Sequence, residues 1–389
     1  MLGETASTGI SELDLALGGL YWGDNVVWEL EEGCPVDPFF ESVGRFHATY
    51  HNAGYVCLAS DPDELAERYP GFEIIDARPG TALAQPAPLV SRIRSRCSAS
   101  ERDLLLFDPL DAMAERWGPE TATQFFTRTC PMLLELGAIA YWSFVPADQP
   151  TSLRREVEEI TQCVLAAGDG RLRIAKAEGR AFGVQGSVFR YRIEVDEVVM
   201  EPAPVAARLG AALRAVRLQR HLSQSELARL AGVSPSAVSQ AERGQRGLSL
   251  ETLLDLTSRL NLTLDELLRG EVAPGYRLAR RNEPSRRADG KPLPLLDDPH
   301  TGVRAYLMTL PPNGSGELGF AHKGVEVVAV SNGLVQVILP TGRPVLRRGE
   351  ALLAERSEIT ACRNLTDEEA TLFWILRDET GERQTARPV

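Results

Sequence analysis

Lysine is almost missing from this 389-residue chain: three lysines stand among its 42 basic residues, and the first of them is Lys176. A phosphate-binding loop of the form G-x-x-x-x-G-K-[ST] is therefore excluded anywhere before that position, because its lysine must reach the β- and γ-phosphates. Cysteine is also scarce. The six residues (Cys34, Cys57, Cys97, Cys130, Cys163, Cys362) are dispersed without a C-x-x-C pair. They read as small apolar core residues rather than as a disulfide framework or a zinc site. No apolar run approaches the roughly 20 residues of a membrane span, and no signal peptide opens the chain. A cytoplasmic protein without membrane contact is the expectation.

The length exceeds one ordinary core, so two or three domains are expected. The formal charge of −12 argues against a protein that coats nucleic acid along its whole length. Yet residues 205–291 carry fifteen basic against nine acidic side chains. Basic charge is thus concentrated in one segment, as contact with phosphates requires, while acidic flanks repel non-specific DNA.

That segment contains LSQSELARLAGVSPSAVSQAERG, residues 222–244. Ser223 caps a short helix whose apolar positions Leu227, Ala228 and Ala231 share one face. Gly232 ends it, and Ser234 caps a second helix with Pro235 at its first position. The second helix buries Ala237, Val238 and Ala241 and turns Pro235, Ser236, Ser239 and Gln240 outward. Residues 205–220 supply a preceding amphipathic helix with Leu209, Ala212, Leu213 and Val216 inward and Arg214 and Arg217 outward. Residues 249–268 supply two more short helices that close an all-α bundle over 205–270. This run resembles the lambda-repressor/Cro, or XRE, helix-turn-helix. The resemblance implies that Gln224, Ser234, Ser236, Ser239 and Gln240 face double-stranded DNA, Gln224 on a phosphate and Ser236, Ser239 and Gln240 at base edges. Arg243 and Arg246 are then expected beside the backbone.

Residues 1–200 alternate apolar strands with helical patterns, the signature of an α/β domain with a largely parallel sheet. Candidate strands are Asn25–Leu30, Gly54–Ala59, Leu104–Phe107 and Ile139–Phe144, followed by Leu172–Ala177 and Val188–Val195. The opening STGISELDLALGGLYWGDNVVWEL, the acid-ended strand DLLLFDPLD and GRLRIAKAEGR resemble RecA-like ATPases of the KaiC/RadA group. In register, Gly33-Cys34-Pro35-Val36-Asp37-Pro38-Phe39-Phe40 puts proline on the second glycine of the phosphate loop and phenylalanines on its lysine and hydroxyl. Glu178 stands where active relatives place an arginine. Asp108 takes the metal-side position of the acid-ended strand, and it and Asp111 read as structural or vestigial. No catalytic residue and no cofactor are expected.

An Arg- and Pro-rich linker, 271–295, leads to a stretch of short strands over 296–380 that indicates a small antiparallel barrel. The strands are Val303–Leu310, Glu326–Val330, Leu334–Leu339, Ala351–Leu353 and Ala370–Leu376. GFAHKGVEVVAVSNGLVQVIL and RRGEALLAERSEITACRN resemble a cupin. Of the metal set that resemblance implies, His322 and Glu326 remain, while Phe320 and Thr360 replace the other two histidines. No metal is expected on two ligands. His322, Glu326 and Thr360 could hold a small effector, or the barrel is filled and serves to dimerise.

The whole reads as a multidomain transcriptional regulator, at least a dimer, with an inactive RecA-like part, a helix-turn-helix and a cupin-like barrel. Competing readings are a divergent nucleotide or cupin enzyme fused to a DNA-binding domain, and an oligomeric scaffold that organises DNA.

Overall fold

Five segments of the N-terminal region, 25–30, 52–57, 103–107, 139–144 and 163–168, are apolar enough to be buried on both faces, which a parallel sheet demands. A computed structural model describes residues 5–97, 102–146, 151–180, 184–195, 197–264, 267, 278, 289–298, 301–319, 324–355 and 358–378. It divides into two compact units, Met1–Leu278 and Ala279–Val389.

The first unit opens with α1 (Ser11–Leu17), β1 (Asn25–Leu30), α2 (Asp37–Gly44), β2 (Asn52–Cys57), α3 (Pro62–Arg68), β3 (Glu73–Asp76) and α4 (Pro86–Arg96). It continues through β4 (Asp103–Phe107), α5 (Leu110–Trp117), α6 (Pro119–Leu136), β5 (Ile139–Phe144), α7 (Thr151–Ile160) and β6 (Cys163–Gly168). The hairpin strands β7 (Arg171–Ala177), β8 (Val188–Glu194) and β9 (Glu197–Pro202) follow. All nine join one sheet in the order β3-β2-β4-β5-β1-β6-β7-β8-β9. Its first six strands run parallel and its last three antiparallel. One core lies on the face of Val26 and Trp28, under α1 and α2. The other lies on the face of Val27, Leu105 and Trp142, under α4 to α7. Trp142 stacks on Phe107 with centroids 3.7 Å apart, and its indole N–H donates to Asn25 Oδ1 at 3.1 Å.

The α/β expectation with a parallel sheet holds. The sequence reading missed β3, β6 and β9. Where an active phosphate loop needs lysine and hydroxyl, Phe39 and Phe40 point into the core and are fully buried. Phe39 stacks on Trp28 at 4.2 Å and Phe40 meets Tyr141 edge-on at 5.6 Å. Lys176 is likewise spent within the fold. Its ammonium donates to the last carbonyls of α7, Glu158 O at 2.7 Å and Glu159 O at 3.0 Å, and pairs with Glu178 at 2.8 Å.

The helices α8 (Val205–Gln219), α9 (Gln224–Ala231), α10 (Pro235–Glu242) and α11 (Leu250–Leu260) form a bundle with its own core, centred on Leu213, Leu227, Val238 and Leu256. Of the two closing helices expected after residue 249, α11 is the first; most of the second lies outside the described residues.

The second unit holds β10 (Pro292–Asp298), β11 (Val303–Leu310), β12 (Ser315–Gly316), β13 (Gly324–Asn332) and β14 (Leu334–Ile338), then β15 (Val345–Arg347), β16 (Ala351–Ala354), β17 (Ala361–Asn364) and β18 (Ala370–Asp378). They form two antiparallel sheets, β10-β11-β18-β13-β16 and β12-β17-β14-β15. Both contribute to one core, with Val328, Leu372 and Trp374 from the first and Val335, Val337 and Cys362 from the second. The linker expectation overran its end. Residues 292–295 belong to β10, where Pro292 and Pro294 are tolerated because the strand is an edge and its register shifts after Pro294.

Candidate nucleic-acid interface

Two caps and one left-handed turn build the helix pair. The Ser223 hydroxyl accepts from the Glu226 amide at 3.2 Å, and the Glu226 carboxylate accepts from the Ser223 amide at 2.8 Å, closing a capping box. Gly232 ends α9 at φ 66°. The Ser234 hydroxyl accepts from the Ala237 amide at 3.2 Å and starts α10, with Pro235 in its first turn. α8 crosses α10 closely: a Cβ on Gly210 would lie 2.2 Å from the Ala241 carbonyl oxygen. No side chain fits there.

The amide and hydroxyl of Ser223 hold the Glu226 carboxyl below its ordinary value. The sign follows: the cap contributes fully above the normal carboxyl range and is lost as pH falls through the lowered folded-state value. Ser223→Ala is expected to cost about 1 kcal/mol locally. Hydrogen exchange of the first α9 amides checks this, with the difference between variant and parent shrinking at acid pH.

Behind the exposed face sits a charged network that the sequence reading misplaced. Arg217 was expected outward. Instead its Nε donates to Glu242 Oε1 at 2.6 Å and its Nη2 to Oε2 at 3.2 Å, while Nη1 donates to the Leu222 carbonyl at 3.0 Å. Gln224 Nε2 also donates to Glu242 Oε2, at 2.8 Å. The physical reason is Glu242, a buried acid on α10 that draws a guanidinium inward. An acid at the last position of a helix whose preceding residues are small, polar or apolar but uncharged is the signal available in the sequence. Arg214 does face outward.

The expected DNA-facing residues fall as follows. Ser234 and Ser236 are exposed at the start of α10, their hydroxyls 3.0 Å apart. Ser239 and Gln240 lie one turn further and are half-buried, and Arg243 and Arg246 are exposed beyond the helix. The Arg243 Nε donates to the Ser239 carbonyl at 3.2 Å. Gln224 is half-buried, and its amide nitrogen gives one hydrogen to Glu242, leaving the second for a phosphate. Ser236, Ser239 and Gln240 thus share one face of α10 by their spacing, and Gln224 reaches the C-terminal end of that helix through Glu242.

In the second candidate set, the described members, Glu326 and Thr360, do not converge. His322 and Phe320 lie outside the described residues. Glu326 is buried, its Oε1 accepting from the Ile359 amide and its Oε2 from the Trp374 indole, both at 2.8 Å. Thr360 is exposed and donates its hydroxyl to the Ile338 carbonyl at 2.8 Å. The difference from the expected wall is that Ile359, just before β17, is the buried residue and its amide meets Glu326, whereas Thr360 is turned to solvent. Burial and then the Glu326 charge push the neighbouring Cys362 thiol up to about 12.

Residues 213–267 match the helix-turn-helix family HTH_3. This segment is a helix-turn-helix. No curated protein matches the chain in sequence. Among solved structures, an HTH_3 family transcriptional regulator from Vibrio cholerae aligns at 20% identity over 45% of this chain and 97% of its own, with a TM-score of 0.21. A KaiC-like protein from Pyrococcus horikoshii aligns at 15% identity over 51% of this chain and 100% of its own, with a TM-score of 0.43. Among the described residues no helix is long and apolar enough to cross a membrane.

Proposed function

We propose that this chain is a sequence-specific DNA-binding transcriptional regulator that acts as at least a dimer. The observation that carries the reading is the helix-turn-helix over 213–267, with the N-terminus of α10 exposed and its serines and Gln240 on one face. One recognition helix reads only a few base pairs, so paired half-sites about one helical turn apart are the geometry such a module needs. The α/β part is, in this reading, a RecA-like scaffold without ATPase activity; Phe39 and Phe40 in the core and Lys176 on the end of α7 support that role. The antiparallel unit serves self-association or effector sensing without a metal.

The test is selection of a bound sequence from a random duplex pool, followed by variants. Gln240→Ala is expected to cost about 1–3 kcal/mol and to relax specificity at one position, whereas Arg246→Ala weakens all sequences alike. A Ser236/Ser239/Gln240 triple alanine variant that binds the selected site unchanged would overturn the assignment.

A further inference from the structure

A second basic surface lies on the antiparallel end of the sheet, outside the helix-turn-helix. Its placement begins with the turn Asp169-Gly170, in which both residues hold positive φ, 48° and 65°. A two-residue hairpin of that kind fixes the register of the strands it joins. It places Arg171 at the first position of β7, and β8 is tied back to the turn by the Tyr191 amide donating to the Gly170 carbonyl at 2.8 Å. Arg171 then stands directly opposite Arg190 across the β7/β8 ladder. Like charges facing each other across a ladder are destabilising. Both side chains are exposed. Glu201 stands opposite Arg190 on its other side, across the β8/β9 ladder, yet neither arginine closes an ion pair with a described residue, whereas Arg192 pairs with Glu194.

These arginines, with Asp169, Tyr191 and Glu201, line an open cavity of about 360 Å³. On the same strand face, Arg173 is pressed by burial, and further by the charge of Arg214 on α8, below its ordinary value, while Glu29 and Glu158 act in the opposite sense. Arg214 is exposed on α8, the first helix of the DNA-binding bundle. α8 lies against β8, so the arginine-bearing end of the sheet adjoins that bundle, on a chain whose total charge is −12.

We propose that Arg171 and Arg190 form an auxiliary, sequence-independent contact with the phosphate backbone of the DNA held by the helix-turn-helix. The proposal rests on the DNA-binding reading above. Two exposed guanidinium groups set side by side, with one acid, Glu201, opposite Arg190, gain from an anion laid between them. Guanidinium and phosphate oxygens match as a fork of paired hydrogen bonds. A polyanion of regular phosphate spacing, continuous with the duplex at the neighbouring bundle, is the occupant that charge and continuity favour. No base is read, so the contact adds affinity and leaves the sequence preference alone.

The experiment uses the full chain and a mixed-sequence duplex of several helical turns, with binding followed by anisotropy across a salt series. Arg171→Ala/Arg190→Ala is expected to lower the slope of log affinity against log salt by about 2, each lost phosphate contact removing about 0.9. Arg171→Lys/Arg190→Lys should retain most of the slope, which separates lost charge from a damaged sheet. Arg246→Ala, in the bundle, should reduce the slope by about 1 on its own. If the parent chain binds and Arg246→Ala weakens it while the double alanine variant leaves slope and affinity unchanged, the auxiliary contact is refuted and the helix-turn-helix reading stands; a patch that serves an acidic protein partner would give this result. If the parent chain binds no duplex, both fall together.

Discussion

Replacing Asp108 with alanine is expected to cost about 4 kcal/mol of stability, through three backbone amides and a hydroxyl left without their acceptor. Asp108 is fully buried at the end of β4. Its Oδ2 accepts from the amides of Leu58, Ala59 and Ser60 at 2.7, 2.8 and 3.0 Å, and its Oδ1 from the Ser60 hydroxyl at 2.6 Å. The carboxylate thus clamps the turn that follows β2. Asp108→Asn should cost only about 1–2 kcal/mol, because the amide oxygen can still take the three N–H groups and the Ser60 hydroxyl can rotate to accept from the new NH2. Urea unfolding followed by tryptophan fluorescence would rank the two, since Trp28 and Trp142 are both buried in this part. The same protein should show no magnesium-dependent ATP turnover. A metal-holding aspartate would behave in the reverse way: turnover in the parent chain, lost in the asparagine variant, with little change in stability. That outcome would overturn both the structural role of Asp108 and the inactive reading of the loop.

The strands that the sequence announced are the ones whose burial dictates their composition. β1, β4 and β5 are buried at every position, and an uninterrupted apolar run of that length leaves little choice of element. β3 escaped because its four residues, Glu73–Asp76, are half acidic and only Ile75 is buried. β9 alternates at the solvent side of the last hairpin, and β10 carries two prolines that argue against a strand unless it is an edge. The bundle was legible nearly to the residue, since caps, turn glycine and apolar spacing are local devices that need no knowledge of the tertiary fold. What was not legible was tertiary. Nothing within α8 tells that Arg217 turns inward, because the reason is Glu242, on another helix. The pairing of Glu326 with Trp374, 48 residues apart in sequence, is of the same kind. The effector pocket that the cupin resemblance implies includes Glu326, which is held instead by the Ile359 amide and the Trp374 indole of the core.

Arg217→Ala is therefore the variant expected to damage the bundle most. The Arg217 and Glu242 side chains are 12% and 3% exposed. Truncating the guanidinium strands a carboxylate among apolar side chains with the Gln224 amide as its remaining described side-chain donor. Breaking a buried pair from one side costs about 3–5 kcal/mol, a large share of what a small bundle holds. Removing both charges with residues of similar volume, as in Arg217→Met/Glu242→Leu, should cost less than either single change, because no ion is left to be solvated. The two readouts then separate. Stability should recover in the double variant, followed by helical circular dichroism during urea unfolding. DNA affinity should recover only in part, because Gln224 loses the acceptor that orients its amide toward the α10 face. If Arg217→Ala unfolds within 1 kcal/mol of the parent chain, an energy below that of ordinary buried pairs, then Arg217 is solvated in solution and the outward position that its sequence predicts is the correct one.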